Sequence, residues 1–178
     1  MKKVLIHVCC AHCAAYTEEY WKQQGYDVGA YWYNPNIHPY VEHQARLESM
    51  RMLAEKTDLP LIIEAGYDMV DYFRRVAGDE ANRCRHCFDL RLSKTAGIAR
   101  EHDCDAFTTT LLISPHQQHE LLKETGEKVA RQHGIEFLYA DLRKRYSDSR
   151  HITKPMDLYR QQYCGCLYSE LERYSEKQ

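Results

Sequence analysis

Seven of the eight cysteines in this 178-residue chain fall into three tight groups: Cys9, Cys10 and Cys13; Cys84 and Cys87; Cys164 and Cys166. Cys104 stands alone in His102-Asp103-Cys104-Asp105 and reads as structural. Thiolates at close spacing bind soft metals or exchange electrons, and in a reducing compartment they are poor candidates for structural disulfides. Cys10-Ala11-His12-Cys13 and Cys84-Arg85-His86-Cys87 are both C-x-x-C pairs. That spacing lets two thiolates grip one metal centre, as in zinc knuckles and iron–sulfur sites. Two such pairs alone would make a tetrahedral structural zinc site, or a staple for the second loop. Cys9 exceeds that need, so Cys9, Cys10, Cys13, Cys84 and Cys87 point to a cluster, or to a cluster with a second metal. Arg83, Arg85 and Arg91 lie around the second pair and would offset the charge of its thiolates.

Cys164-Gly165-Cys166 is a different device. A C-x-C pair is too tight for easy joint ligation of one ion, but it can close a strained, readily reduced disulfide. Gly165 gives the backbone the freedom such a turn needs. The pair is either a dithiol that carries electrons or a source of one more metal ligand. Alternatives are blander: a small buried thiol pair at the first group, incidental thiols at the last.

These residues need elements to hold them. The chain alternates short β-rich runs with helical patterns. Lys3 to Val8, Val28 to Tyr33, Leu59 to Glu64, Ala106 to Leu112 and Ile135 to Ala140 read as strands. Helices are expected from about Ala11 to Gln24, from Pro39 through Ala54, over Met69 to Val76, from Leu90 through Ala99, and from His116 to His133. Such alternation implies βαβ units and a mainly parallel sheet of about five strands, an α/β domain covered on both faces. No repeat, low-complexity tract or linker divides it, so one domain over 1–178 is expected, with a charged and then helical tail from about 141 carrying the last cysteine pair. Composition is ordinary for a soluble globular protein, with 44% hydrophobic and 28% charged residues. No apolar run approaches a membrane span, and no signal-peptide core precedes His7, so a cytoplasmic location without membrane association is expected.

Ligands of open parallel sheets bind beyond the carboxyl ends of the strands. The first cysteine group follows the first strand and the Asn34–Pro39 turn the second, while Ser114-Pro115 follows the fourth and Asp141 the fifth. Four loops should therefore converge on one rim. Cysteines at a helix start also meet its positive end, which favours the thiolate. Candidate substrate contacts on that rim are Tyr33, Asn34, His38, Ser114 and Arg143, with Arg160 in the basic tail. Tyr33, Tyr139, Tyr159 and Tyr163 could stack on bases. His7 is expected to hydrogen-bond locally. The tail's Arg143, Lys144, Arg145, Arg150, His151, Lys154 and Arg160 either hold phosphates or form a solvated face. A net charge of −2 decides nothing about a polyanionic partner.

The order of five segments resembles one family, over about residues 3–168. They are His7-Val8-Cys9-Cys10-Ala11-x-Cys13, Tyr33-Asn34-Pro35-Asn36-Ile37-His38-Pro39, Arg83-Cys84-x-x-Cys87-Phe88, Thr110-Leu111-Leu112-Ile113-Ser114-Pro115 and Tyr159-Arg160-Gln161-x-Tyr163-Cys164-Gly165-Cys166. The sequence is similar to the QueH-type epoxyqueuosine reductases. The resemblance implies a Rossmann-like fold related to the adenine-nucleotide alpha-hydrolase (PP-loop) group. It also implies the last step of queuosine synthesis, reduction of the epoxide of epoxyqueuosine to an alkene at the tRNA wobble position. By the same resemblance, no cobalamin is used: the cofactor is a 4Fe-4S cluster with an adjacent mononuclear iron, fed by an external electron donor. His12 departs from the family pattern, in which proline is expected, without removing a thiol; Cys13 is a position where a relative can carry a carboxylate.

With that chemistry, Cys9, Cys10, Cys84 and Cys87 are expected to carry most of the metal centre, with Cys13 as an additional ligand. Cys164 and Cys166 are expected nearest the substrate, as electron relay or as ligands of the second iron. Asp141 is the candidate for proton supply. The rival PP-loop chemistry, adenylation or thiolation, wants a glycine-rich phosphate loop after the first strand. Cysteines stand there instead. A thioredoxin-like oxidoreductase and a zinc-bound RNA-binding module are the other readings.

Overall fold

The computed structural model describes residues 1–175. The last three positions of the domain expected over 1–178 lie outside the described residues. β1 (Lys2–His7) is central and pairs in parallel with β2 (Tyr26–Trp32) and β4 (Ala106–Thr109). β3 (Leu61–Ile63) and β5 (Glu136–Phe137) form the two edges, also parallel, in the order β3-β2-β1-β4-β5. This is the five-stranded parallel sheet that the alternation implies, in the Rossmann-like form that the resemblance implies.

Side-chain alternation along the strands divides the core into two layers. Leu5, Tyr31 and Phe107 face one way, packed by α3 (Met69–Val76), α4 (Arg83–Glu101) and α5 (His119–His133). Val4, Ile6, Val28, Ala30 and Trp32 face the other, under α1 (Ala11–Gln23) and α2 (Tyr40–Thr57). At Gly126 a Cβ would run into the Phe137 ring, so α5 approaches β5 only because that side chain is missing. Among the described residues, no helix is long and apolar enough to cross a membrane.

Several expected boundaries move, for local reasons. The fourth strand stops at Thr109 rather than Leu112. The Thr109 hydroxyl accepts the Leu111 amide at 3.2 Å, and a 3-10 turn over Thr110–Ile113 follows. The fifth strand is shorter than expected. Past Phe137, the Thr108 hydroxyl donates to the Leu138 carbonyl at 2.7 Å, a side-chain bond in the place of ladder continuation. The helix expected from His116 begins at His119, because Ser114-Pro115 turns first and the His119 ring bonds the Ser114 carbonyl at 3.0 Å. Cys84 and Cys87 lie inside α4 and not ahead of it. The tail contains α6 (Tyr146–Thr153) and α7 (Leu167–Ser175), with the last cysteine pair in irregular chain between them.

Candidate functional site

β1 and β4 are neighbours whose outgoing chains diverge, the switch point where open α/β sheets hold ligands. Both exits carry polar groups that meet there. The Cys9 amide donates to the Thr110 hydroxyl at 3.3 Å, and the Cys9 sulfur lies 3.5 Å from the same oxygen. Cys10 is the N-cap of α1, its sulfur accepting the Cys13 amide at 3.4 Å. All three cysteines are buried.

The second and third groups are brought to the first by helices. In the first turn of α4, Cys84 and Cys87 stand three residues apart and so share a face. α7 docks against the same helix end, where Arg83 pairs with Glu172 and lies 5.4 Å from the Tyr168 ring centroid. Cys166 precedes α7, its sulfur accepting the Ser169 amide at 3.4 Å. The Cys164 sulfur accepts from the Gln117 amide nitrogen at 3.3 Å. Seven sulfurs thus converge on one region, while Cys104 lies at the opposite, amino-terminal end of β4.

The electrostatics favour an anionic group there. Arg91 is 2% exposed and cannot deprotonate in a protein. Its Nε donates to the Cys87 carbonyl at 3.2 Å, and it has no carboxylate partner among the described residues. Burial works against its charge, and the neighbouring Cys87, Cys9 and Cys164 outweigh that penalty. Tyr72, 1% exposed, has a hydroxyl with no full hydrogen-bond partner, beside Cys87 and Cys166. A buried cation without a carboxylate, a buried phenol hydroxyl and a set of neighbouring thiols fit a thiolate-bound cluster.

The thiols are not yet arranged around a metal. Among the described residues, no three His, Cys, Asp or Glu side chains already form a ligand shell. Hydrogen bonds from Cys10 and Cys13 hold the Cys9 thiol well below its ordinary range, against burial. Cys10 is pushed up to about 12: its bond with Cys13 lowers it, and its bond with Cys9 together with burial prevails. Cys13 is raised by its bonds to Cys10 and Cys9 and by burial. Of the three, Cys9 is the thiol whose deprotonation the arrangement favours. Burial raises Cys87 to about 12 and lifts Cys84 as well. Burial also raises the Cys164 thiol, although that residue keeps exposed surface. Metal binding must displace these protons, which makes it pH-dependent.

The other candidates are distributed unevenly. Tyr33 is buried, stacked on Tyr31 with centroids 6.4 Å apart, with the Lys94 ammonium 5.8 Å from its ring centroid. Asn34 is buried and donates to the Val8 carbonyl at 2.9 Å. His7 completes that brace, its ring 3.0 Å from the Thr109 hydroxyl and 3.2 Å from Asn34 Oδ1; burial, aided by Arg91, lowers it to about 4, so it is neutral. His38 is buried beside Tyr72 and Phe73, its Nε2 3.0 Å from the Pro35 carbonyl. The Ser114 hydroxyl accepts the His116 amide at 3.2 Å. Asp141 is exposed and gripped by Arg143 at 2.8 and 2.5 Å, which holds its carboxyl well below the usual carboxylate range. In that pairing it is a base or an anchor, and donating a proton requires release of Arg143. Arg160 is exposed.

Thr110, Tyr72 and Gln117 at this site escaped the reading of cysteines and charges, since a lone polar side chain carries no sequence signal until its neighbours are known. His12, the departure from the family pattern, lies 2.5 Å from the Thr153 hydroxyl through Nδ1 and ties α1 to α6.

Comparison with known proteins gives the family and the fold. Residues 4–172 match the family model described as Epoxyqueuosine reductase QueH. The Epoxyqueuosine reductase QueH of Dehalococcoides mccartyi is 56% identical over 174 residues, covering 98% of this chain and 96% of that protein. That of Thermotoga maritima is 32% identical, covering 97% and 93%. Among solved structures, a predicted subunit of tRNA methyltransferase from Methanocaldococcus jannaschii aligns with a TM-score of 0.59 at 10% identity, over 86% of this chain and 75% of its own. The U34-tRNA thiolase NcsA from Methanococcus maripaludis, with its 4Fe-4S cluster, aligns at 0.58 and 14% identity, over 98% of this chain and 64% of its own. At those identities the two structures speak for the fold alone.

Proposed function

The chain belongs to the QueH family of epoxyqueuosine reductases, and we propose that it reduces epoxyqueuosine to queuosine in tRNA with a cysteine-bound iron–sulfur cluster and without cobalamin. The observation that carries this reading is the buried Arg91, without a carboxylate partner among the described residues, beside thiols of all three cysteine groups, Cys9, Cys84, Cys87 and Cys164. Opening the epoxide to an alkene consumes two electrons and two protons and expels the oxygen as water. A 4Fe-4S cluster with an adjacent iron would supply electrons singly and polarise the C–O bond.

The chain's own residues do the rest. Cys9, Cys10, Cys84 and Cys87 hold the cluster, with Cys13 as an additional ligand. Cys164, the exposed thiol of the seven, and Cys166 would stand nearest the substrate, as a redox dithiol able to close to a disulfide or as ligands of the adjacent iron. Arg91 and the Tyr72 hydroxyl meet the negative charge from behind. Tyr33, Asn34, His38 and Ser114, all buried, brace the loops that would meet the substrate. Arg143 and Arg160 offer guanidinium groups to phosphate, and Asp141 orients Arg143 and exchanges protons once that pair opens. An external electron donor restores the reduced state in the cytoplasm.

The decisive test is anaerobic purification with iron, sulfide and EPR analysis, together with turnover of tRNA carrying epoxyqueuosine. Iron, acid-labile sulfide and alkene product are expected. A colourless, zinc-loaded protein that is fully active would overturn the reading.

A further inference from the structure

Nothing regular supports the last cysteine pair: residues 157–166 form neither helix nor strand. What fixes them is one face of α2. Glu42, Arg46 and Ser49 follow each other at helical spacing and are all buried, an unusual content for a stripe that faces inward. Arg46 is 1% exposed. Its Nε donates to Glu42 at 2.7 Å, while Nη1 donates to the Cys164 carbonyl at 2.8 Å and Nη2 to the Tyr163 carbonyl at 3.0 Å. The guanidinium also lies 5.5 Å from the Tyr163 ring centroid.

The partners of Arg46 are fixed in turn. The Tyr159 hydroxyl donates to the other Glu42 oxygen, and the Tyr159 amide donates to the Ser49 hydroxyl at 2.9 Å. The Tyr163 hydroxyl donates to the His38 carbonyl, and the His38 amide donates to the Gly165 carbonyl at 2.8 Å. Gly165 has φ +156, and a Cβ there would sit 3.2 Å from Ile37 and 3.6 Å from Arg46 Nη1. The chain therefore passes closely between the Asn34–Pro39 turn and Arg46 in a backbone conformation that favours glycine.

We propose that Arg46 is the positioning residue of Cys164 and Cys166, the hub of a polar latch that sets the C-terminal dithiol against the other cysteines. It touches neither substrate nor metal. It acts through two carbonyls, one of them of Cys164 itself. Lysine cannot replace it, because a single ammonium lacks the planar fork that serves a carboxylate and two carbonyls at once. The importance of Cys164 and Cys166 to turnover rests on the function proposed above, whereas the latch itself does not.

The test is amide hydrogen exchange and steady-state kinetics on full-length Arg46→Met, Arg46→Lys and Tyr159→Phe, purified anaerobically. In Arg46→Met, exchange of the His38 amide and of segment 159–166 should rise at least tenfold, with segment 8–14 unchanged. The EPR signal of the bound cluster should stay, and kcat should fall at least tenfold while KM for tRNA holds. Arg46→Lys should recover less than half of the lost kcat, and Tyr159→Phe should show the same pattern more weakly. Unchanged exchange at His38 and 159–166 overturns the latch. If Arg46→Met exchanges faster throughout, Tyr159→Phe decides: local loosening supports the latch and none overturns it. Exchange is also read on metal-free protein, so a wild-type chain without iron or turnover defeats the proposed function and leaves the latch to stand or fall separately.

Discussion

Cys10 and Cys166 perform the same local task in different surroundings. Each stands just before a helix, its sulfur accepting the amide three residues on at 3.4 Å. Behind Cys10, α1 buries Ala11, Cys13, Ala14, Ala15, Thr17, Glu18 and Trp21, and it follows directly from the central strand. Behind Cys166, α7 buries none of its residues, and Leu167 and Leu171 remain exposed. The first group is placed by apolar packing, which changes only when the core does. The last is placed chiefly by hydrogen bonds from Arg46, Tyr163, His38 and Gln117 and by an ion pair between Arg83 and Glu172, with Cys166 and Tyr168 only partly buried where they pack against the core. The difference teaches that the site has a rigid half and an attached half, and that the attached half is the one facing solvent.

The largest expected effect separates the halves directly. Cys10→Ser should lose most of its iron and sulfide on anaerobic purification, and with them all turnover. Cys166→Ser should keep the cluster's visible absorption and EPR signal, lose up to one iron per chain, and still fail to turn over. The comparison breaks if Cys166→Ser loses the cluster as completely as Cys10→Ser, for then all the cysteine groups form a single ligand set.

The rigid half was the legible half. The parallel sheet, the rim and the first cysteine group after β1 all follow from hydrophobic periodicity and from the position of Cys9, Cys10 and Cys13. Local signals of that kind survive in sequence because neighbours along the chain are neighbours in space. The attached half depends on contacts more than a hundred residues apart, such as Arg46 with Tyr163 and Cys164. In the sequence Arg46 falls at helical spacing with the apolar residues Met50 and Leu53 on a stripe of α2. A charged residue on that stripe is a sign of a buried partner, but nothing in the spacing says which carbonyls it seeks. Asn34 and His38 were read as rim contacts for a similar reason. Their loop does reach the rim, and its side chains turn inward to brace it.

A smaller effect is expected at Arg91, whose charge acts on Cys9 and Cys87 as well as on Cys164 and so concerns both halves. A fixed buried cation stabilises the more negative, reduced form of a neighbouring cluster. Arg91→Met should therefore lower the reduction potential, with at least a tenfold change in the reduced-to-oxidised ratio at a fixed applied potential, about 59 mV for one electron. Arg91→Lys should lie between, since it keeps the charge but not the fork. Potentiometric titration followed by EPR reads both. An unchanged potential in an iron-replete Arg91→Met protein would show that the cation serves packing alone, and the halves would then be coupled by nothing but proximity.

The smallest effect concerns the ground on which the attached half stands. His43 follows Glu42 on α2, is 4% exposed, and accepts a hydrogen bond from Trp32 Nε1 at 3.1 Å, which requires it neutral. Tyr40 and Tyr67 lie against its ring, and Arg46 and His38 are the nearby groups that add to burial in lowering it from 6.5 to about 4. The sign follows from linkage. Between pH 4 and 6.5 the unfolded chain binds a proton at His43 that the folded chain refuses, so stability is full above 6.5 and falls as pH drops toward 4. At pH 5 the loss is about 2 kcal/mol, at 1.36 kcal/mol per unit of separation. His43→Gln keeps an acceptor for Trp32 and does not titrate. Metal-free wild type should therefore lose about 2 kcal/mol more than His43→Gln between pH 7 and pH 5 by denaturant unfolding. Relative to His43→Gln, wild-type hydrogen exchange at pH 5 should rise in segment 159–166 and stay level in 8–14, because the two proteins differ only in the proton taken up on α2 while His7 on β1 titrates alike in both. Equal loosening of both segments would mean that α2 supports the whole site, and the division into rigid and attached halves would have to be abandoned.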